Sequence, residues 1–186
     1  MKSNSRSFGG IDPEFSDFSN SKVLLQSIPY DGTSTWGKGA DGGFDAFIDA
    51  TENMELYDIE TDTEVYQQGI HIVDAVLEES SPEAMFQEVY KSTQDLLKTD
   101  KFLTFFGGEH SVSIGVIKAF YEKFADISIL HLDAHADLRP QYLGSPYNHA
   151  CALYDASQNT NLVQVGIRSM DVSEKEFLNP NKCFFA

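Results

Sequence analysis

Short apolar runs alternate along this chain with longer segments whose apolar residues fall on one helical stripe. That alternation constrains the fold more than any other feature. Residues 23–28, 102–106, 127–132 and 162–167 are rich in Val, Ile, Leu and Phe, and a further run covers 183–185. These read as strands. Between them, Ser81-Pro82 marks a helix start, because proline is tolerated in a first helical turn. Met85, Phe86, Val89, Tyr90, Thr93, Leu96 and Leu97 then share one face. A second amphipathic helix is predicted over 111–124 and a short one over 44–50. Strands separated by helices build βαβ units, so the predicted fold class is α/β with a mainly parallel sheet between helices. Near-continuous apolar strands suit a sheet covered on both faces.

Composition limits what such a fold can be asked to do. The chain has 186 residues, enough for one domain with a substantial core and no disulfide staples. It carries 13 Lys and Arg against 29 Asp and Glu, a net charge of −16. That field repels phosphate backbones and anionic lipid, so neither nucleic acid nor membrane is an expected partner. Residues 1–22 are polar and read as an N-terminal arm ahead of a domain over 23–186; no apolar core of a secretory signal is present there. The two cysteines, Cys151 and Cys183, form no C-x-x-C pair and read as reduced, packed thiols of a cytoplasmic protein.

Two segments imitate motifs without completing them. Gly32 to Lys38 matches G-x-x-x-x-G-K, but Gly39 stands where a magnesium-binding Ser or Thr is required. The run Asp58, Glu60, Asp62, Glu64 has the acidity of a calcium loop but lacks its glycine, and reads as a solvated strand or loop. Residues 30–43, with five glycines, are expected to form a long loop near a site.

The chemistry concentrates after the strand at 127–132, in Asp133-Ala134-His135-Ala136-Asp137. Residues two apart in extended chain share a face, so both carboxylates and the imidazole point the same way. They lie at the C-terminal end of a parallel strand, where open α/β sheets bind ligands. Two aspartates and a histidine suit Mn, Fe, Co or Zn. His110, in Gly107-Gly108-Glu109-His110-Ser111, ends the strand at 102–106, which is expected to neighbour the strand at 127–132 in a parallel sheet and so to place His110 beside the cluster. His149 lies on the loop that follows and can shuttle protons near neutral pH. His131 reads as a supporting or core residue and not a ligand; His71 receives no role.

With Pro29-Tyr30-Asp31-Gly32-Thr33-Ser34 and Gln164-Val165-Gly166-Ile167-Arg168, these motifs resemble the ureohydrolases: arginase, agmatinase and formiminoglutamase. Asp137-Leu138-Arg139 and Asn148-His149-Ala150-Cys151 are most similar to bacterial agmatinases. The resemblance implies a three-layer arginase-like fold and a binuclear Mn²⁺ site that activates a hydroxide against a guanidinium carbon. It implies that His110 and Asp137 bind one ion, His135 the other, that Asp133 bridges both, and that His149 is the proton shuttle. A small cationic guanidino substrate such as agmatine, a cytoplasmic location and a homo-oligomer, trimer or hexamer, are implied with it. The family's later D-x-D-x-x-D-P segment is not in these residues, so the chain reads as an N-terminal portion. That leaves two other readings open, a related guanidino or formimino hydrolase and a non-catalytic binding protein of the same fold. A metallophosphoesterase is disfavoured, because no G-D-x-x-D follows.

Overall fold

Among the described residues, six strands form where short apolar runs fall: β1 (Val23–Ile28), β2 (Ile70–Val73), β3 (Phe102–Gly107), β4 (Ser128–Leu132), β5 (Asn161–Ile167) and β6 (Cys183–Phe185). The computed structural model describes residues 6–186; the first five residues of the polar arm lie outside the described residues. The helices are α1 (Pro13–Ser16), α2 (Gly43–Thr51), α3 (Pro82–Leu96), α4 (Val112–Lys123) and α5 (Tyr154–Asn159). Helix α3 starts as its sequence predicts. Pro82 fills the first turn and Ser81 Oγ accepts the Ala84 N–H at 3.1 Å. The sequence pattern does not predict α1, β2 or α5. Strand β2 is only four residues long, and α5 buries a single residue, Ala156.

All strand pairs are parallel, in two sheets ordered β2-β1-β3 and β4-β5-β6. This corrects the expectation that β3 and β4 are neighbours. Each is an edge strand, bonded on one side only, by β1 and β5 respectively. Helix α4, which joins them, packs against both α3 and α5, so the crossover holds the sheets in place without direct pairing.

Side-chain alternation sets the layers. Leu25 points to α2, against Phe44 and Ile48. Ile28, three residues on, faces the other way, onto Met85 and Val89 of α3 and Val112 of α4. The first sheet is therefore the middle of three layers. In the second sheet Leu162, Ile167 and Cys183 pack on Leu138, Leu153 and Ala156. Val165 and Ile167 would share a face in a regular strand. Gly166, at φ +88°, interrupts the register and turns Ile167 into the core. The opposite face carries Leu130 and Leu132, 64% and 70% exposed, with Phe184 beside them.

Residues 8–16, read as part of the polar arm, fold into a 3-10 turn (Phe8–Gly10) and α1. Ile11 is buried, and the Gly9 N–H donates to Thr51 Oγ1 at 2.9 Å. The acidic run 58–64 is an exposed turn in which Asp58 Oδ1 accepts the Glu60 and Thr61 N–H groups at 2.8 and 3.1 Å. Cys151 and Cys183 are free and buried, and burial pushes the Cys151 thiol up to about 11 and Cys183 upward. At neutral pH both are thiols, as their packing role requires.

The glycine-rich loop is tied together by Asp31. Its carboxylate accepts the Gly39 and Ala40 N–H groups at 2.7 and 3.2 Å and the Ser34 hydroxyl, with Lys38 Nζ at 3.7 Å. The Ser34 hydrogen bond leads in holding this carboxyl below its ordinary range; burial opposes, and the two N–H groups and Lys38 add to the effect. Trp36, the chain's single tryptophan, is 96% exposed on the same loop. Asp31→Ala is expected to cost about 1–3 kcal/mol, the usual range for lost charged hydrogen bonds. Urea denaturation reads the loss, and Trp36 fluorescence reports the loosened loop.

Candidate metal centre

The site begins with a close backbone approach at the end of β3. A Cβ on Gly108 would lie 2.0 Å from the Tyr30 backbone oxygen, so only glycine fits. The Gly108 N–H donates to Ile28 O at 3.0 Å, and the Glu109 N–H to Tyr30 O at 2.8 Å. These bonds carry the chain past the end of β1 and set down His110 just ahead of α4.

The second wall comes from the end of β4. The Asp133 N–H donates to Val165 O at 3.2 Å, and Ala134 O accepts the Arg168 and Ser169 N–H groups at 2.8 and 3.0 Å. Asp137 adopts φ +52°, a left-handed conformation that aspartate tolerates better than most residues. Its carbonyl accepts the Leu153 N–H at 3.0 Å.

Although β3 and β4 are not paired, their ends converge. His110 Nδ1 is 2.7 Å from Asp137 Oδ2 and 3.8 Å from Asp133 Oδ2. Asp133 Oδ1 accepts the His135 N–H at 2.8 Å, and His135 Nδ1 lies 3.5 Å from the same oxygen. His135 is the outermost member, its side chain 62% exposed. Burial alone would lower the His110 pKa, but the Asp137 hydrogen bond and the charges of Asp137, Asp133 and Glu109 outweigh it and raise it. Burial would raise Asp133; the His135 N–H and the charge of His110 hold it below the usual range instead. Two carboxylates thus share one imidazole, a nitrogen and oxygen donor set that fits Mn²⁺ or a similar divalent ion.

His149 lies across a cavity of about 520 Å³ lined also by His110, His135, Asp137 and Arg139. It opens a 3-10 turn (His149–Cys151) capped by Asn148, whose Oδ1 accepts the Ala150 N–H at 3.2 Å. Thr33 and Glu109 hold it, and sequence reasoning assigned neither of them a role. Thr33 Oγ1 donates to Glu109 Oε1 at 2.9 Å and accepts the His149 N–H at 3.0 Å. His149 Nδ1 is 3.2 Å from the same hydroxyl. Because the hydroxyl proton goes to Glu109, Nδ1 must be the donor here, and in the neutral ring Nε2 carries the lone pair. Glu109 is buried and also accepts from the Ser111 N–H and hydroxyl, at 2.8 and 2.5 Å. A glutamate directly before His110 was the only signal for it.

Arg139 spans the far wall, with Nη2 3.7 Å from Asp171 and Nε 3.9 Å from Glu174, over the Tyr142 ring. His131 is buried on β4, its ring stacked on His110 with centroids 5.3 Å apart. His71 Nδ1 lies 2.8 Å from Ser16 O, remote from this cluster and structural.

A family model described as the arginase family matches residues 21–185. The chain belongs to the arginase family. An N(1)-aminopropylagmatine ureohydrolase of Thermus thermophilus is 34% identical over 170 residues, covering 88% of this chain and 56% of the relative. A Bacillus subtilis agmatinase is 29% identical, covering 89% and 58%. The solved structure of an agmatine ureohydrolase of Thermoplasma volcanium superposes with a TM-score of 0.80 at 27% identity, covering 91% of this chain and 58% of that one. The chain therefore spans just over half the length of the relatives it matches. Its parallel sheets between helices are those of the arginase family.

Proposed function

We propose that these residues carry the metal-binding and proton-handling part of an amidinohydrolase that converts agmatine to putrescine and urea. The observation that carries this reading is the convergence of His110, at the end of one sheet, with Asp133 and Asp137, at the end of the other; His110 and Asp137 line one cavity with His149. His110 and Asp137 would hold one Mn²⁺ ion, His135 a second, and Asp133 would lie between them. When bound, such a pair supplies Lewis acidity that lowers the pKa of water and offsets the charge of a tetrahedral intermediate.

The chain's own residues do the rest. Thr33 and Glu109 fix His149 as the Nδ1–H tautomer, so Nε2 is the atom that takes up and returns a proton. Beyond the proposed metal ligands, Glu109, Asp171 and Glu174 line the cavity against a single Arg139, an acidic wall suited to a cationic guanidino group. Relatives named for agmatine and for N(1)-aminopropylagmatine both support a guanidino head on an amine-bearing chain. By family resemblance the protein works in the cytoplasm as a homo-oligomer, trimer or hexamer. Among the described residues no helix is long and apolar enough to cross a membrane.

The test uses the full reading frame that encodes these residues. Product release should be compared for agmatine, N(1)-aminopropylagmatine, arginine, guanidinobutyrate and formiminoglutamate. Agmatine is expected to turn over fastest. Faster turnover of arginine would refute the assignment, and faster turnover of aminopropylagmatine would move it to the longer amine.

A further inference from the structure

We propose that Gln164 locks His131 as the neutral imidazole protonated on Nε2, and so makes it the group that orients the Asp133 carboxylate and not a metal ligand. The inference rests on the proposed metal site, in which Asp133 is the shared carboxylate. His131 on β4 and Gln164 on β5 stand opposite each other in register. Gln164 Nε2 is 2.9 Å from Ala136 O. A carbonyl only accepts, so the amide nitrogen must be the atom there. The same nitrogen lies 3.0 Å from His131 Nδ1, which takes its second N–H. Nδ1 is therefore the acceptor, and an imidazolium would set N–H against N–H.

The ring's one proton is then on Nε2. His131 is 7% exposed, and its buried Nε2 has no hydrogen-bond partner among the described residues. It faces Asp133 Oδ2 at 3.5 Å, just beyond hydrogen-bond range. Asp133 is thus flanked on both oxygens, by the His135 N–H on Oδ1 and by His131 Nε2–H beside Oδ2. Donor atoms of His110, His131 and Asp133 lie within 4.8 Å of one another, which by distance alone suggests a three-residue ligand set. Coordination through Nε2 would require a lone pair there, hence a proton on Nδ1, where Gln164 already donates. The hydrogen bonding removes His131 from that set and leaves it a positioning residue.

Long-range ¹H–¹⁵N correlations on the metal-free, ¹⁵N-labelled chain read the tautomer directly. Wild type is expected to show His131 protonated on Nε2 alone, and Gln164→Met to mix or shift the tautomers. A wild-type ring protonated on Nδ1, or no change in Gln164→Met, would overturn the lock. Mn²⁺ titration, followed by broadening of the His110 and His135 ring signals, tests the positioning role. His131→Gln places an amide N–H where Nε2–H stands, and should hold the midpoint within about 3-fold of wild type. His131→Asn reaches only as far as Nδ1, and should raise it about 10–100-fold. Equal midpoints for Asn and wild type, or equal loss for Gln and Asn, would overturn the role. Absence of any Mn²⁺ effect in wild type would refute the metal reading, while the tautomer and its response to Gln164→Met would still decide this inference.

Discussion

The purified 186-residue chain is expected to hold Mn²⁺ weakly, lose it on gel filtration, and release no urea from agmatine. The donors explain why. His110 Nδ1 lies 2.7 Å from Asp137 and 3.8 Å from Asp133, the start of a donor set for one ion. A second ion would have His135, largely exposed, and a share of Asp133. Two divalent ions roughly 3.5–4 Å apart repel strongly and are held together by shared carboxylates. No D-x-D-x-x-D-P segment lies in these residues to add a second bridge. The second ion should leave first, and the activated water with it. Elemental analysis after gel filtration, paired with a urea assay, checks both statements. Two retained equivalents with turnover would refute the argument and would place further donors on a partner subunit.

The contrast between that tight cluster and the loose strand topology shows what local sequence can carry. Asp133, His135 and Asp137 lie within five residues just past a strand end, so their nearness is a local signal, although the left-handed turn at Asp137 and not strand alternation completes it. Helix α3 was equally legible, because Ser81, Pro82 and a regular apolar stripe are all local signals. That β3 and β4 do not pair was not legible. Consecutive strands are often neighbours, yet here each finds a different partner, β1 and β5, through long-range contacts that no local pattern encodes. Thr33 and Glu109 escaped notice for the same reason. Each is unremarkable in its own segment, and they matter only because folding brings residue 33 against residues 109 and 149. Gln164 likewise reads as one polar residue in an apolar strand until β5 sets it opposite His131.

Gly108→Ala is expected to be the most damaging single methyl that can be added near the site, costing roughly 3 kcal/mol or more. The added Cβ would meet Tyr30 O at 2.0 Å, Tyr30 N at 2.6 Å and Tyr30 C at 2.8 Å, all backbone atoms. A clash with a flexible side chain can be relieved by rotation; this one cannot. Tyr30 is itself fixed, buried at the end of β1 with its N–H bonded to Ile28 O at 2.8 Å. Relief therefore requires the ends of β1 and β3 to separate, which breaks the Gly108-to-Ile28 and Glu109-to-Tyr30 hydrogen bonds. His110 follows those bonds directly, so the substitution should also loosen its contact with Asp137. Gly144→Ala is the control. Gly144 has φ +86° but nothing within 4 Å of its Cβ position, so only the backbone conformation is penalised, by about 1–2 kcal/mol. Denaturant midpoints of the two variants decide the matter. Gly108, unlike Gly144, has no positive φ, so its loss reads the β1–β3 contact alone; a loss no larger than that of Gly144→Ala would refute the close-contact argument.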